Sequence, residues 1–141
     1  MRRILSSIGF VGLVLQLGLL VSCAETVSLA NTSRVPGATG KVEVKRSKNG
    51  NTRMEVDVEH LAKASQVDSR AVTYVVWIQS LDHATAPQNV GNLMVDDDLK
   101  GHVSTMSPLA SFELVITPES SHQAPEPTGD PVFRTRVMAA D

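Results

Sequence analysis

The chain holds one cysteine, Cys23, in 141 residues. A disulfide within the chain is therefore excluded, and the fold must be held by its core alone. A basic excess is also missing, since 13 Lys and Arg stand against 15 Asp and Glu. That balance leaves no electrostatic footprint for nucleic acid. Beyond the first 22 residues, no segment longer than a turn combines a 3.6-residue period with capping residues, although Val58 to Ser65 has room for one helical turn. Catalytic signatures are absent as well. There is no Gly-x-Ser-x-Gly and no Ser-x-x-Lys, and a nucleophile with a base and an orienting acid cannot be assembled from the sequence. These absences point away from an enzyme and from a bound cofactor.

What is present begins at the N-terminus. Met1-Arg2-Arg3 precedes an apolar run from Ile4 to Val21, and Leu20-Val21-Ser22-Cys23 closes it. The arginines favour the cytoplasmic side, and the run is long enough to cross much of a bilayer as a helix. Gly9, Gly12 and Gly18 weaken it as a permanent packed helix. The residues that follow, Ala24-Glu25-Thr26, form no basic stop-transfer cluster, which favours a processed signal. The tetrapeptide resembles a bacterial lipobox. The resemblance implies that residues 1–22 are a lipoprotein signal peptide and that Cys23 receives a diacylglyceryl group as the first mature residue. It also implies attachment to the cell envelope, at the periplasmic side of the outer membrane in a diderm host, because Ala rather than Asp follows the cysteine. Two or more acyl chains are needed for stable anchoring. Without residues 1–22 the chain keeps 11 basic and 15 acidic residues, a net charge of −4.

Residues 23–38, mostly small and polar with Pro36-Gly37, read as the lipidated N-terminus and a flexible tether. Asn31-Thr32-Ser33 matches a glycosylation sequon that a bacterial lipoprotein has no need of. From residue 39 to 141 the pattern is β. Lys41-Val42-Glu43-Val44-Lys45 and Met54-Glu55-Val56-Asp57-Val58-Glu59 alternate strictly, and Asn49-Gly50 between them predicts a hairpin with φ > 0 at both residues. Val42, Val44, Met54, Val56 and Val58 share the buried face, and the opposite face is solvated and of mixed charge. Ala71 to Gln79 is apolar on both faces, as a central strand is. Further strands are expected over Val90 to Val95, Leu99 to Met106, Ser111 to Thr117 and Val132 to Val137. Seven short strands predict an all-β, antiparallel, immunoglobulin-like β-sandwich, with Tyr74, Trp77 and Phe112 in its core.

Thr73-Tyr74-Val75-Val76-Trp77, Val90-Gly91-Asn92-Leu93, Phe112-Glu113-Leu114-Val115-Ile116-Thr117-Pro118-Glu119 and Pro125-Glu126-Pro127-Thr128-Gly129 together resemble the extracytoplasmic C-terminal domain of anti-sigma-K-type factors. The similarity spans residues 70–137. Those factors add a cytoplasmic sigma-binding domain and a membrane-spanning helix, for which this sequence offers no counterpart. The resemblance therefore implies the fold and a sensing or docking role, with no catalytic residues to carry over.

Among residues with chemical potential, Asp96-Asp97-Asp98 lacks the glycine and glutamate of an EF-hand and reads as a solvated turn. His60, His83, His102 and His122 show no metal-ligand spacing. They could still meet in space, and Met54, Met94 and Met106 suit Cu(I), so a periplasmic copper carrier is the alternative to a non-catalytic binding module. The long prolyl loop with Pro118, Pro125, Pro127, Thr128 and Pro131 is the candidate interaction element. The expected partners are the membrane, through the lipid, and another envelope protein.

Overall fold

A computed structural model describes residues 24–139. Residues 1–22, where a signal peptide is expected, and Cys23, the expected lipidation site, lie outside the described residues. The elements are β1 (Glu25–Ser28), β2 (Ala30–Asn31), β3 (Thr39–Arg46), β4 (Thr52–Glu59), the single turn α1 (Ala64–Val67), β5 (Thr73–Gln79), β6 (Gln88–Leu93), β7 (Gly101–Ser107), β8 (Ser111–Glu119) and β9 (Phe133–Met138). They form two antiparallel sheets, a four-stranded one in the order β1-β3-β4-β7 and a five-stranded one in the order β2-β9-β8-β5-β6. Apart from β1 and β2, the neighbours β3-β4-β7 and β9-β8-β5-β6 follow the A-B-E and G-F-C-C′ order of an immunoglobulin-like Greek key.

Alternation builds the interior. Val42 and Val44 from β3 and Met54, Val56 and Val58 from β4 are all buried, and they pack on Tyr74, Val76, Ile78, Phe112, Leu114, Ile116, Phe133 and Val137 from the other sheet. Each buried aliphatic side chain stabilises the fold by about 1.5–3 kcal/mol relative to its exposed state. The Tyr74 hydroxyl donates to the Ala62 carbonyl at 2.7 Å, and burial pushes the phenol up to about 12. The β3–β4 hairpin closes as expected, with one difference. Only Gly50 has positive φ (84°), whereas Asn49 uses its side-chain oxygen to accept from the Asn51 amide at 3.2 Å.

The seven strands expected become nine, because residues 24–38 are not a tether. β1 pairs along β3, with Glu25 opposite Val44 and Ser28 opposite Lys41. The chain then crosses to the other sheet at the buried Leu29, and β2 pairs with β9. The turn that follows is organised by one side chain. The Asn31 amide nitrogen donates to the carbonyls of Val35 (3.2 Å), Pro36 (3.0 Å) and Ala38 (2.9 Å). The residue that opens the apparent sequon is thus committed to a turn. Small polar composition favours a coil. Edge pairing and the apolar contacts of Leu29, Val35 and Ala38 decide otherwise.

Trp77 also departs from expectation. It is buried, at 1% exposure, but not between the sheets. Strand alternation sends Tyr74, Val76 and Ile78 inward and Val75 and Trp77 to the outer face of the five-stranded sheet, where they form a second cluster with Ala124. The run from Ala71 to Gln79 is apolar on both faces because both faces are covered.

Replacing Asn31 by Leu removes three hydrogen bonds at one turn and should cost about 1–3 kcal/mol. A lower urea midpoint with an unchanged m-value would register it. An unchanged midpoint would mean that residues 24–38 contribute nothing to the sandwich.

Candidate functional site

The outer face of β5, β8 and β9 is crossed by a strap, residues 120–132, and the strap has an anchor at each end. At one end stands Glu119, the last residue of β8, a carboxylate only 1% exposed. Its Oε1 accepts from the Thr117 hydroxyl at 2.5 Å, the Thr128 amide at 2.9 Å and the Gly129 amide at 3.2 Å. Its Oε2 accepts from the Thr128 hydroxyl at 2.5 Å. Thr117 Oγ1 in turn accepts from the Trp77 indole at 2.8 Å. A chain of donors thus runs from Trp77 through Thr117 to Glu119 and into the strap. Gly129 is required at its place, because a Cβ there would collide with the Pro118 carbonyl. At the other end, the Asn89 amide of β6 donates to the carbonyls of His122 (3.1 Å) and Ala124 (3.4 Å). Ala124 is thereby seated over Val75 and Trp77.

Burial pushes the Glu119 carboxyl up. The hydroxyls of Thr117 and Thr128 and the amides of Thr128 and Gly129 outweigh it, so the group lies below its ordinary value of 4.5.

Beside the strap a groove of about 340 Å³ remains open. Its floor is Trp77 and Val115, and Pro127 and Pro131 of the strap face His83 and Pro87 of the β5–β6 loop across it. One end is polar. Arg134 Nη1 donates to Glu113 Oε1 at 3.2 Å, with the carboxylate nearly buried and the guanidinium half exposed. Gln79 fixes the loop wall, donating to the Thr85 carbonyl at 2.7 Å and meeting His83 Nδ1 with its side-chain oxygen at 3.0 Å. An aromatic floor, prolyl walls and one guanidinium–carboxylate pair suit an extended, partly apolar segment with a polar group at one end.

The prolyl loop singled out from the sequence lies at this place, with a changed role. Pro118 belongs to β8, opposite Tyr74. Its parity is that of Ile116, whose carbonyl accepts from Val132, so the amide that proline lacks would point past the start of β9. Pro127 and Pro131 wall the groove, Thr128 binds Glu119, and Pro125 is exposed. The segment is a fixed cover rather than a free loop. The histidines and methionines fall at several places, with Met94 and His102 lining one pocket at the far end of the other sheet. Met54 is core, His83 lines the groove, and His122 sits in the strap. His102 lies on the far sheet between Asp57 (2.7 Å) and Glu55 (3.2 Å). Among the described residues no group of three or more His, Cys, Asp or Glu is arranged to hold a metal. The Asp96 carboxylate accepts from the amides of Asp98 (3.0 Å) and Lys100 (2.9 Å), which makes the acidic triplet a turn.

Sequence reasoning missed Glu119 and Asn89. The available signal was β5 itself, since a strand apolar on both faces at the outer surface of a two-layer fold needs a third cover.

No family model matches the chain, and no curated protein matches it. Among solved structures, the crystal structure of the clock protein EA4 is similar over 77% of this chain and 90% of that one, at 11% identity and a TM-score of 0.47.

Because the Glu119 carboxyl is depressed in the fold, its contribution is fully present above about pH 4.5 and is lost as the pH falls through the lower folded value. Glu119→Gln should lower stability by about 1.5–3 kcal/mol at neutral pH, the range for hydrogen bonds to a charged group. It should also flatten the acid limb of a stability–pH curve. Equal acid limbs in the two proteins would remove Glu119 from that role.

Proposed function

We propose that the protein is a lipid-anchored cell-envelope protein whose β-sandwich is a non-catalytic binding module, serving envelope sensing or scaffolding. The leading support is the lone Cys23 at the end of an apolar run, two residues before β1. Among the described residues no helix is long and apolar enough to cross a membrane, which is compatible with attachment by acyl chains. The Trp77 groove is the proposed docking place for a segment of another envelope protein, because it joins an aromatic floor to a fixed polar pair. The resemblance to anti-sigma-K-type extracytoplasmic domains adds to this reading. The residues that carry it include Trp77, Thr117, Glu119, Thr128 and Gly129, which hold the strap and hence one groove wall.

Two measurements test the parts separately. Cys23→Ala should release the protein from the membrane pellet, and a variant that still pellets after a high-salt wash would sink the anchor. A photoreactive residue at Pro127 should cross-link one dominant protein in intact cells, and Arg134→Ala should abolish that adduct. A diffuse pattern unaffected by Arg134→Ala would refute docking in the groove.

A further inference from the structure

The two ends of the sandwich differ in charge, and the N-terminus leaves from the basic one. β1 runs antiparallel to β3 with Glu25 opposite Val44, so Ala24 stands level with Lys45. The same end carries the β3–β4 hairpin, Lys45-Arg46-Ser47-Lys48-Asn49-Gly50-Asn51-Thr52-Arg53, which has four cations and no acid. Lys45 pairs with Arg53, and Arg53 pairs with Met106 on β7, in one row across the outer face. Like charges directly opposite one another destabilise a sheet; Glu55 accepts from Arg53 Nε at 3.0 Å and offsets part of this, and an external anion would relieve the rest. Arg136, near the end of β9, adds a fifth cation at this end, against Glu25, Asp82 and Glu113, the last directly opposite Arg136. The opposite end carries five acids, Glu59, Asp68 and the Asp96-Asp97-Asp98 turn, against three cations, Lys63 (2.5 Å from Asp97), Arg70 and Lys100, and so remains net acidic. Exposed apolar side chains do not separate the ends. Met106 and Met138 lie at the basic one, and Met94, Leu99 and Val72 at the other. Charge is what separates them.

We propose that the basic hairpin end lies against the anionic phospholipid headgroups of the membrane that holds the anchor. The inference rests on the lipid anchor at Cys23 proposed above. Two residues of chain can span at most about 7 Å, within a Debye length of roughly 10 Å at 0.1 M salt. Arg53 is two strand spacings from β1, again about 10 Å. A domain held this close cannot keep its hairpin out of the surface potential of an anionic bilayer, which attracts Lys and Arg. The opposite, acidic end is then turned away. The lipid anchor and the cations supply the two signals that stable peripheral attachment requires.

The full-length lipoprotein can be reconstituted in vesicles that carry a headgroup-attached quencher, made of phosphatidylcholine alone or mixed with phosphatidylglycerol. A fluorophore is attached through Asn49→Cys at the hairpin tip or Asp98→Cys at the far end. Cys23 is blocked by its lipid. The Asn49 probe should be quenched in phosphatidylglycerol vesicles and the Asp98 probe should not. Added salt should weaken the quenching in the native protein. The triple variant K45Q/K48Q/R53Q should lower it to the level in phosphatidylcholine, with an unchanged urea midpoint. Equal quenching of the two probes, or no difference between the two lipid mixtures while the protein floats with the vesicles, would overturn the docking and leave the anchor intact. Protein that does not float would overturn the anchor and the docking together.

Discussion

The carboxylate of Glu119 is the constraint on which the outer half of the molecule depends. A buried charge is costly unless it is met by donors, and here four hydrogen bonds meet it, three of them from the strap. Covering Trp77 contributes more free energy, because an indole buries about 150–250 Å², worth roughly 4–6 kcal/mol at 25 cal/mol/Å². But hydrophobic burial is non-directional and would accept many strap positions. The carboxylate selects one, since only Thr128 and Gly129 present an amide pair and a hydroxyl at the right place. Stability thus comes mainly from the indole and uniqueness from Glu119.

The arrangement offsets a missing crosslink. Immunoglobulin domains pack a tryptophan from the same strand against a disulfide between the sheets. With a single cysteine, this chain has no such bond. Its β5 divides its large side chains instead, with Tyr74, Val76 and Ile78 inward and Val75 and Trp77 outward under the strap. The five-stranded sheet is therefore buried on both faces over part of its area, like a layer in a three-layer protein. The groove is the place where this third layer stops short of the β5–β6 loop.

Strict alternation in β3 and β4 made their pairing, their buried face and the hairpin legible, because period 2 leaves one solution once a face is buried. The seven principal strands followed from runs of apolar and β-branched residues between turn residues. Three features were not legible, for different reasons. β1 and β2 are short edge pieces whose stability comes from neighbours far along the chain, so local composition is misleading there. The outward position of Trp77 is hidden because period 2 tells which residues share a face but not which face is inside when both are covered. The prolyl segment is marked out by its composition, yet its fixed shape depends on Glu119 and Asn89. Neither carries a local signal, since a glutamate at a strand end is ordinarily solvated.

The position of β1 constrains how such a domain could meet a partner. Had residues 24–38 been a coil, an anchored domain would have swung through all orientations at a distance of tens of ångströms. With β1 starting two residues after Cys23, the end bearing the β3–β4 hairpin, the β5–β6 loop and the last residues of β9 is the one nearest the proposed anchor. The polar pair of the groove lies toward that same end, because Glu113 lies opposite Gln79 and near the start of β8. The strap is hinged on Glu119 at the distal end. Under the proposed anchoring, a partner that binds such a groove would approach along the membrane surface rather than from above it. That geometry suits another protein held in or on the same membrane better than a freely diffusing one.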